Sequence, residues 1–214
     1  EELKYADRIF AISKSDYEYL RQSYENIDFV SAFHSNETVT SQTGRGTYIL
    51  YHGNLGVVEN NQAALFIVKK IAADLKVPFI IAGKNPTDAL KKEAKKHSHI
   101  TLIENPSFEQ VADLLSNAQI NFLTTFQNTG IKLKLLNSLY RGRFCLVNSK
   151  MVNNTGLESL CVIEDNPNAT KRLIEDMMAL EFDQHHINKR KQVLDHEFSN
   201  RANATRIIKA IWER

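Results

Sequence analysis

The sequence predicts an α/β fold: a Rossmann-like, doubly wound parallel sheet accompanied by a fragment of a second domain. Short apolar runs alternate with helical patterns along most of the 214 residues. The runs are continuously apolar, which is typical of strands that are buried on both faces of a parallel sheet. The length allows one substantial core together with part of another unit.

The first third of the chain begins with a short α/β segment. Its predicted elements are a strand at 8–13, a helix at 14–24 and an extended run at 27–33. Ser13 or Ser15 would cap the helix, because a serine side chain accepts hydrogen bonds from the first backbone amides. Residues 34–46 are polar, contain two glycines and lack apolar periodicity, so we interpret them as a linker.

Six predicted strands then alternate with helices to form the main sheet. The strands lie at 47–53, 77–83, 99–104, 119–125, 143–148 and 160–164. The helices lie at 60–75, 86–97, 107–116, 131–141, near 154–159, and at 167–180, 183–196 and 199–213. Parallel sheets bind ligands at the carboxyl ends of their strands, so the loops after the first five strands are the candidate site.

Composition excludes several classes of protein. The 27 Lys and Arg residues nearly balance the 25 Asp and Glu residues, which gives no reason to expect a nucleic-acid partner. Cys145 and Cys161 lie in apolar runs and are predicted to be core strand residues in a reducing compartment, with a disulfide as the minor alternative. The histidines form no metal-binding pattern. No apolar stretch is long enough to span a membrane.

Location and extent are expectations from the same features. The chain starts at Glu1 without an apolar signal region, so we interpret it as a fragment of a longer protein or a processed chain, located in the cytoplasm. The basic stretch 185–192 is predicted to be a solvated helix face, with contact to anionic lipid head groups as the alternative. Trp212 at the end of the last helix could drive self-association if exposed.

The loop after the first strand of the main sheet is the first candidate for ligand binding. Gly53 permits close approach of a ligand or a backbone, and Gly56 keeps the loop free to move. The next helix is predicted to start near Asn60, where its amides could bind an anion. The alternative is an ordinary turn capped by Asn60 or Asn61. The loop lacks the GxGxxG pattern of nicotinamide sites.

The helix at 131–141 carries a stronger signal. Lys132 and Lys134 lie in its first turn, where the helix dipole disfavours cations, so a bound anion such as a diphosphate would offset the repulsion. The alternative is that both lysines extend into water. The predicted buried stripe of this helix is Leu133, Leu136 and Tyr140.

The stretch from Tyr48 to Glu164 resembles the C-terminal, donor-binding domain of retaining GT-B-fold glycosyltransferases of group one (family 4-like). The matching segments include YHGNL at 51–55, ENNQAAL at 59–65, FIIAGKNP at 79–86, ITLIENPSFEQVADLLSNAQINFLTT at 100–125 and TGIKLKLLNSLYRGRFCLVNS at 129–149. Residues 1–33 resemble the last strand and helix of that family's N-terminal domain. The resemblance therefore covers nearly the whole chain but about half of a family enzyme.

The resemblance implies a domain organisation and partners. It implies the end of an acceptor-side domain at 1–33, a linker at 34–46, the nucleotide-sugar-binding domain at 47–198 and a helix returning toward the N-terminal domain at 199–214. It also implies a UDP- or GDP-linked sugar as donor substrate, with no metal or cofactor. The acceptor would be a glycan or lipid-linked molecule used in polysaccharide synthesis, with peripheral membrane contact an option.

The resemblance also implies roles for individual residues, taken position by position. Gly53 and Asn54 match a Gly-Arg pair, and Asn60 falls where many members carry Lys. The segment implied to face the phosphates comprises Gly130, Ile131 and Lys132, and Lys134 matches a lysine frequent in the subgroup. The two glutamates of the family fall on Thr129, in the donor site, and on Asn137, implied to bind the ribose. No catalytic residue is assigned.

Two alternatives remain beside a hexosyltransferase domain. A nucleotide-sugar epimerase on the same fold would need acid–base groups, for which Glu104 and His52 are the candidates. A degenerate domain that binds or scaffolds without catalysis is favoured by the replaced Arg, Lys and Glu positions.

Overall fold

The structure, a computed structural model, describes residues 2–127 and 132–212. Its first part is a small parallel sheet of β1 (Ile9–Ala11) and β2 (Ile27–Phe29), connected by α1 (Lys14–Leu20). The side chain of Ser13 accepts a hydrogen bond from the backbone amide of Asp16, so Ser13 is the cap of α1. Apolar side chains of the two strands pack against α1 and form a small separate core.

The main sheet has six strands, all parallel, and confirms the predicted fold class. The strands are β3 (Ile49–Asn54), β4 (Phe79–Lys84), β5 (Ile100–Glu104), β6 (Ile120–Leu123), β7 (Phe144–Val147) and β8 (Val162–Ile163). Their spatial order is β5-β4-β3-β6-β7-β8. The chain therefore adds strands outward from β3 in one direction and then from β6 in the other. The switch point lies between β3 and β6, where such sheets place their ligand sites.

Helices cover both faces of this sheet. They are α2 (Val58–Lys70), α3 (Asp88–Ala94), α4 (Phe108–Asn117), α5 (Leu133–Arg141), α6 (Ser149–Val152), α7 (Pro167–Ala179), α8 (Gln184–Val193) and α9 (Asn200–Trp212). A π-helical turn, Leu194–Phe198, joins the last two. No helix in the described part of the chain is both long enough and apolar enough to cross a membrane.

The core explains why the strands are mostly apolar. Ile49, Phe79 and Phe122 point to one face and pack with Ile67 of α2 in a large buried cluster. Leu50 and Ala82 point to the opposite face and pack with residues of α4. Because consecutive strand residues alternate between the two faces, a strand buried on both is mostly apolar, although His52 of β3 and Asn121 of β6 are buried polar residues.

Three local predictions were wrong, each for a structural reason. Leu133 is 40% exposed, and the buried face of α5 consists of Leu135, Leu136, Ser138, Leu139 and Tyr140. The helix predicted near 154–159 is instead α6 together with a 3-10 turn, Glu158–Leu160. Asn154 and Gly156 between them have φ of 59° and 80°, a left-handed backbone that interrupts a helix.

The third correction concerns the start of α2. The helix begins two residues before Asn60, and its N-cap is Val57, which makes no side-chain capping bond. Neither Asn60 nor Asn61 is therefore the cap.

A smaller difference concerns the cysteines, which are both free thiols. Cys145 is buried within β7 as predicted, whereas Cys161 is half-buried and lies directly before β8.

The segment predicted as a linker is packed against the main domain along much of its length. The Thr40 amide donates to the carbonyl oxygen of Tyr140 at 2.7 Å, and Gly44 pairs with Phe182 through two backbone hydrogen bonds. Asn36 and Ser41 are buried. The polar character of this segment thus serves hydrogen bonding to α5 and to the strand-like segment before α8.

Helix α9 lies near the residues that follow β2. The Asn203 side chain donates to the hydroxyl of Ser31 at 2.6 Å, and both residues are buried. Toward the end of the helix, Ile208, Ile211 and Trp212 are exposed, the last at 78%. The boundaries of the predicted domains and the role of this helix stay predictions.

Candidate functional site

A cleft of about 430 Å³ opens at the carboxyl ends of β3 and β4 and is bounded by α5, the helix that follows β6 across the switch point. We name it the switch-point cleft. Its lining residues are His52, Gly53, Asn54, Ala82, Gly83, Lys84, Lys134 and Asn137, with residues 106–109 and 111 at the start of α4. The predicted residues Gly53, Asn54, Lys134 and Asn137 are therefore brought together, although their positions span more than 80 residues of sequence. Clefts of this size at a switch point suit a small-molecule ligand.

Lys134 is the partly buried cation of the switch-point cleft, whereas Lys84, which also lines it, is exposed. Its ammonium group donates to Oδ1 of Asn60 at 3.1 Å and lies 5.6 Å from the centroid of the Tyr51 ring. Burial and, to a smaller extent, the charge of Lys132 lower the pKa of Lys134 to about 8. A half-buried ammonium that is also destabilised by the charge of another lysine is unfavourable without an anion. The geometry therefore predisposes this position to bind a negatively charged group.

Asn60 holds Lys134 in place. Its Nδ2 donates to the carbonyl oxygen of Asn54 at 3.0 Å, which leaves Oδ1 to accept from the lysine. The side chain of Asn54 in turn accepts from the amide of Gly56 at 3.1 Å, and so closes the loop after β3 as an Asx turn. Asn60 was predicted to help bind the donor, and in the structure it connects this loop to the lysine of α5.

His52 forms the floor of the cleft. Its side chain is buried, and burial together with the charge of Lys134 lowers its pKa to about 4. The ring is therefore neutral at physiological pH. Its Nε2 lies 3.4 Å from the hydroxyl of Ser138, which donates to the carbonyl oxygen of Lys134 at 3.0 Å. Glu104, the other acid–base candidate, instead pairs with Lys91 at 2.6 Å and is not among the lining residues.

Asn137 contributes an amide to the cleft wall one turn after Lys134. Its Oδ1 accepts a hydrogen bond from Nδ2 of Asn36 at 2.7 Å. Asn36 belongs to the segment predicted as a linker and is itself buried. The Asn137 side chain is therefore oriented by a residue about 100 positions earlier.

Two residues of the cleft were missed by sequence reasoning. Phe108 is 85% exposed at the rim, and the Lys84 ammonium lies 5.4 Å from the centroid of its ring. An exposed aromatic ring beside a cleft can stack on a flat ligand. The signal available was its position directly after Ser107, which caps α4 in one of the loops selected as candidates.

Lys132 lies elsewhere. It lines a second, smaller cavity of about 120 Å³ together with Ser13, Lys14, Asp16 and Ser31 from the region around β1, α1 and β2. Burial lowers the pKa of Lys132 as well. The two lysines that the sequence grouped as one anion site thus line different cavities on either side of the start of α5. Thr129, Gly130 and Ile131, predicted to face the phosphates, lie outside the described residues.

Comparison with known proteins identifies the fold. No family model and no curated protein sequence matches the chain. S. aureus TarM, solved in complex with fondaparinux, α-GlcNAc-glycerol and UDP, has a TM-score of 0.70 at 11% identity, covering 99% of this chain and 45% of that one. A glycosyltransferase from Rickettsia africae has a TM-score of 0.71 at 11% identity, covering 97% and 64%.

Anabaena HepE, solved in complex with UDP and glucose, has a TM-score of 0.67 at 9% identity, covering 99% of this chain and 64% of that one. The chain thus spans about half to two thirds of the length of these structures. It has the α/β fold of the C-terminal domain of GT-B glycosyltransferases. At such low identity the likeness shows the fold alone.

Proposed function

We propose that this chain binds the nucleotide-diphosphate part of a sugar donor and acts as the donor half of a glycosyltransferase. The observation that carries the proposal is Lys134, a half-buried cation in the switch-point cleft whose hydrogen-bond partner is a neutral amide. A diphosphate supplies the missing negative charge. UDP in the solved structures of TarM and HepE, which share this fold, supports a nucleotide as the ligand.

The cleft offers complementary groups for the rest of a nucleotide. We infer that the diphosphate lies against Lys134 and that the base stacks on the exposed ring of Phe108 at the opposite rim. Asn137 also lines the cleft and would contact the ribose. In transfer, Lys134 would stabilise the negative charge that develops on the departing diphosphate, with His52 neutral beneath it.

Nucleotide titration tests the proposal directly. We expect saturable binding of UDP or GDP to the 214-residue chain in calorimetry, with ADP and CMP as comparison ligands. Lys134→Met should weaken binding about 30-fold, because a charge-assisted hydrogen bond contributes about 2 kcal/mol. The matched control is Lys70→Met, which removes an exposed lysine at the far end of α2 and should leave the affinity unchanged. Equal affinity of wild type and Lys134→Met would refute the assignment.

Binding should also depend on pH with a defined sign. Burial lowers the pKa of Lys134 to about 8 in the unliganded chain, and a bound phosphate would raise it, so binding takes up a proton above that pH. The affinity for UDP should therefore fall about tenfold between pH 7, where Lys134 is mostly protonated, and pH 9, where it is mostly neutral. The phosphate is already ionised over this interval.

The same pH series on Lys134→Met tests whether Lys134 is the group whose titration causes the pH dependence. With the ammonium removed, we expect the affinity to be nearly constant from pH 7 to pH 9. A decrease of equal size in the variant would mean that the titrating group lies elsewhere.

A second candidate function is a domain that binds a nucleotide sugar without transferring it. The observation favouring it is the neutral amide of Asn137, engaged by Asn36, where the resembled family has a glutamate. Nucleotide binding without hydrolysis or transfer of UDP- or GDP-sugars by the protein that contains this chain would support this alternative over catalysis.

A further inference from the structure

The amide of Asn137 is the end of a hydrogen-bond chain that begins at Arg141. Nε of Arg141 donates to Oδ1 of Asn36 at 2.7 Å, and Nδ2 of Asn36 donates to Oδ1 of Asn137 at 2.7 Å. All three side chains come from two segments that meet only in the folded chain, namely α5 and the residues after β2. Asn36 is 3% exposed, so water does not compete for its two bonds.

The chemistry of the three side chains determines which atoms donate and which accept in these hydrogen bonds. A guanidinium group has only hydrogen-bond donors, so Asn36 must turn its carbonyl oxygen toward Arg141. The Nδ2 of Asn36 must then face Asn137, which can meet it only with Oδ1. An amide that uses its oxygen in this way has its own NH₂ group directed elsewhere. No described residue accepts a hydrogen bond from Nδ2 of Asn137, and the residue lines the switch-point cleft.

We infer that Asn36 and Arg141 are positioning residues that hold the Asn137 amide with its Nδ2–H group toward the cleft, which makes this position selective for a hydrogen-bond acceptor on the ligand. The inference rests on the proposed nucleotide site. The acceptor is an oxygen of the ribose or of the phosphates. A carboxylate at this position would have the opposite preference, because it can only accept hydrogen bonds from ribose hydroxyl groups.

The substitution Asn36→Asp tests the inference without changing the cleft wall. The carboxylate has the shape of the amide but no N–H group, so it can still accept from Arg141 and can no longer donate to Asn137. Asn137 must then turn its Nδ2 toward position 36 and present Oδ1 to the cleft. We expect the affinity for UDP to fall about tenfold, because one hydrogen bond is lost and two acceptor oxygens face each other.

A matched control accounts for the added charge. Ser35→Asp introduces the same negative charge at the neighbouring, exposed position, where it cannot reverse the amide. It should change the affinity less than twofold, since exposed charges are screened by salt. An equal loss in both aspartate variants would attribute the effect to charge and overturn the inference.

Side-chain amide spectra give a readout that a merely structural role would not change. The Asn137 signal is assigned by its disappearance in Asn137→Ser. In the unliganded wild-type chain both of its amide protons should exchange rapidly with water, whereas in Asn36→Asp one proton should be protected. A protected proton already present in wild type would mean that the amide is reversed, and would overturn the inference whether or not UDP binds.

If Asn36→Asp does not fold, the variant Asn137→Asp provides a second test of the inference. Its carboxylate accepts from Asn36 without rearrangement and presents an acceptor to the cleft, so UDP binding should weaken about tenfold or more. Unchanged or tighter binding would overturn the inference while leaving the proposed nucleotide site intact. Absence of UDP and GDP binding by wild type would instead count against the proposed function, with the spectra still deciding the amide orientation.

Discussion

Replacing Arg190 with methionine is expected to lower the free energy of unfolding by about 4 kcal/mol, because several buried carbonyl oxygens would lose their donor. The guanidinium group is buried and donates to the carbonyl oxygens of Leu139, Gly142 and Arg143 and to the hydroxyl of Ser41. It also lies 4.7 Å from the centroid of the Phe182 ring. Methionine retains most of the apolar contact but offers no donor.

The position of these carbonyl groups explains the size of the effect. Leu139 and Gly142 belong to the end of α5, where unpaired carbonyl oxygens and the helix dipole both favour a cation. Arg190 thereby joins α8, α5 and the segment predicted as a linker. Denaturation in urea measures the loss, and Lys191→Met, at the exposed next position, should change the stability by less than about 0.5 kcal/mol. A loss below 1 kcal/mol for Arg190→Met would contradict this account.

Replacing Gly83 with alanine is expected to cost about 3 kcal/mol of folding free energy, since the added methyl group overpacks the sheet. A Cβ at this position would overlap the carbonyl oxygen of Gly53 on the neighbouring strand and lie 2.8 Å from Cγ of Leu55. Gly53 and Gly83 are register partners in β3 and β4. The backbone of a central strand cannot move away without breaking its ladder, so the strain is not relieved cheaply.

The partner glycine provides the control for this prediction. A Cβ on Gly53 would meet the side chain of Asn60 at 3.4 Å, an ordinary contact distance. Gly53→Ala should therefore change the free energy of unfolding by less than about 1 kcal/mol. Similar losses for the two alanine variants in thermal or urea denaturation would contradict the steric argument. The glycine required for close approach of backbone is thus Gly83, whereas the sequence had suggested Gly53.

Lys134 was predicted to bind an anion because two lysines at a helix start are unfavourable on their own. That reasoning applied equally to Lys132, which lines a different cavity. Which way each lysine points depends on the rotation of α5 about its axis. Packing of Leu135 and Leu139 against the core sets this rotation; the predicted stripe was right at Leu136 and Tyr140 and wrong at Leu133.

Apolar periodicity did not single out Phe108, Lys84 or Asn36. Phe108 and Lys84 are exposed, and periodic patterns record burial only. Asn36 lies in a polar segment without periodicity, yet it is buried and bonded to a side chain 101 positions later. Such a contact is a property of how the segment after β2 folds back on α5, which no local pattern describes.

The sequence by itself determined the order of most strands and helices, the parallel α/β class and the cap of α1, because these depend on apolar runs and on bonds between residues three or four apart. Tertiary structure alone decided the strand order around the switch point, the separation of Lys132 from Lys134 and the orientation of the Asn137 amide. These features depend on contacts between residues far apart in sequence, whose energies exist only once the core has packed.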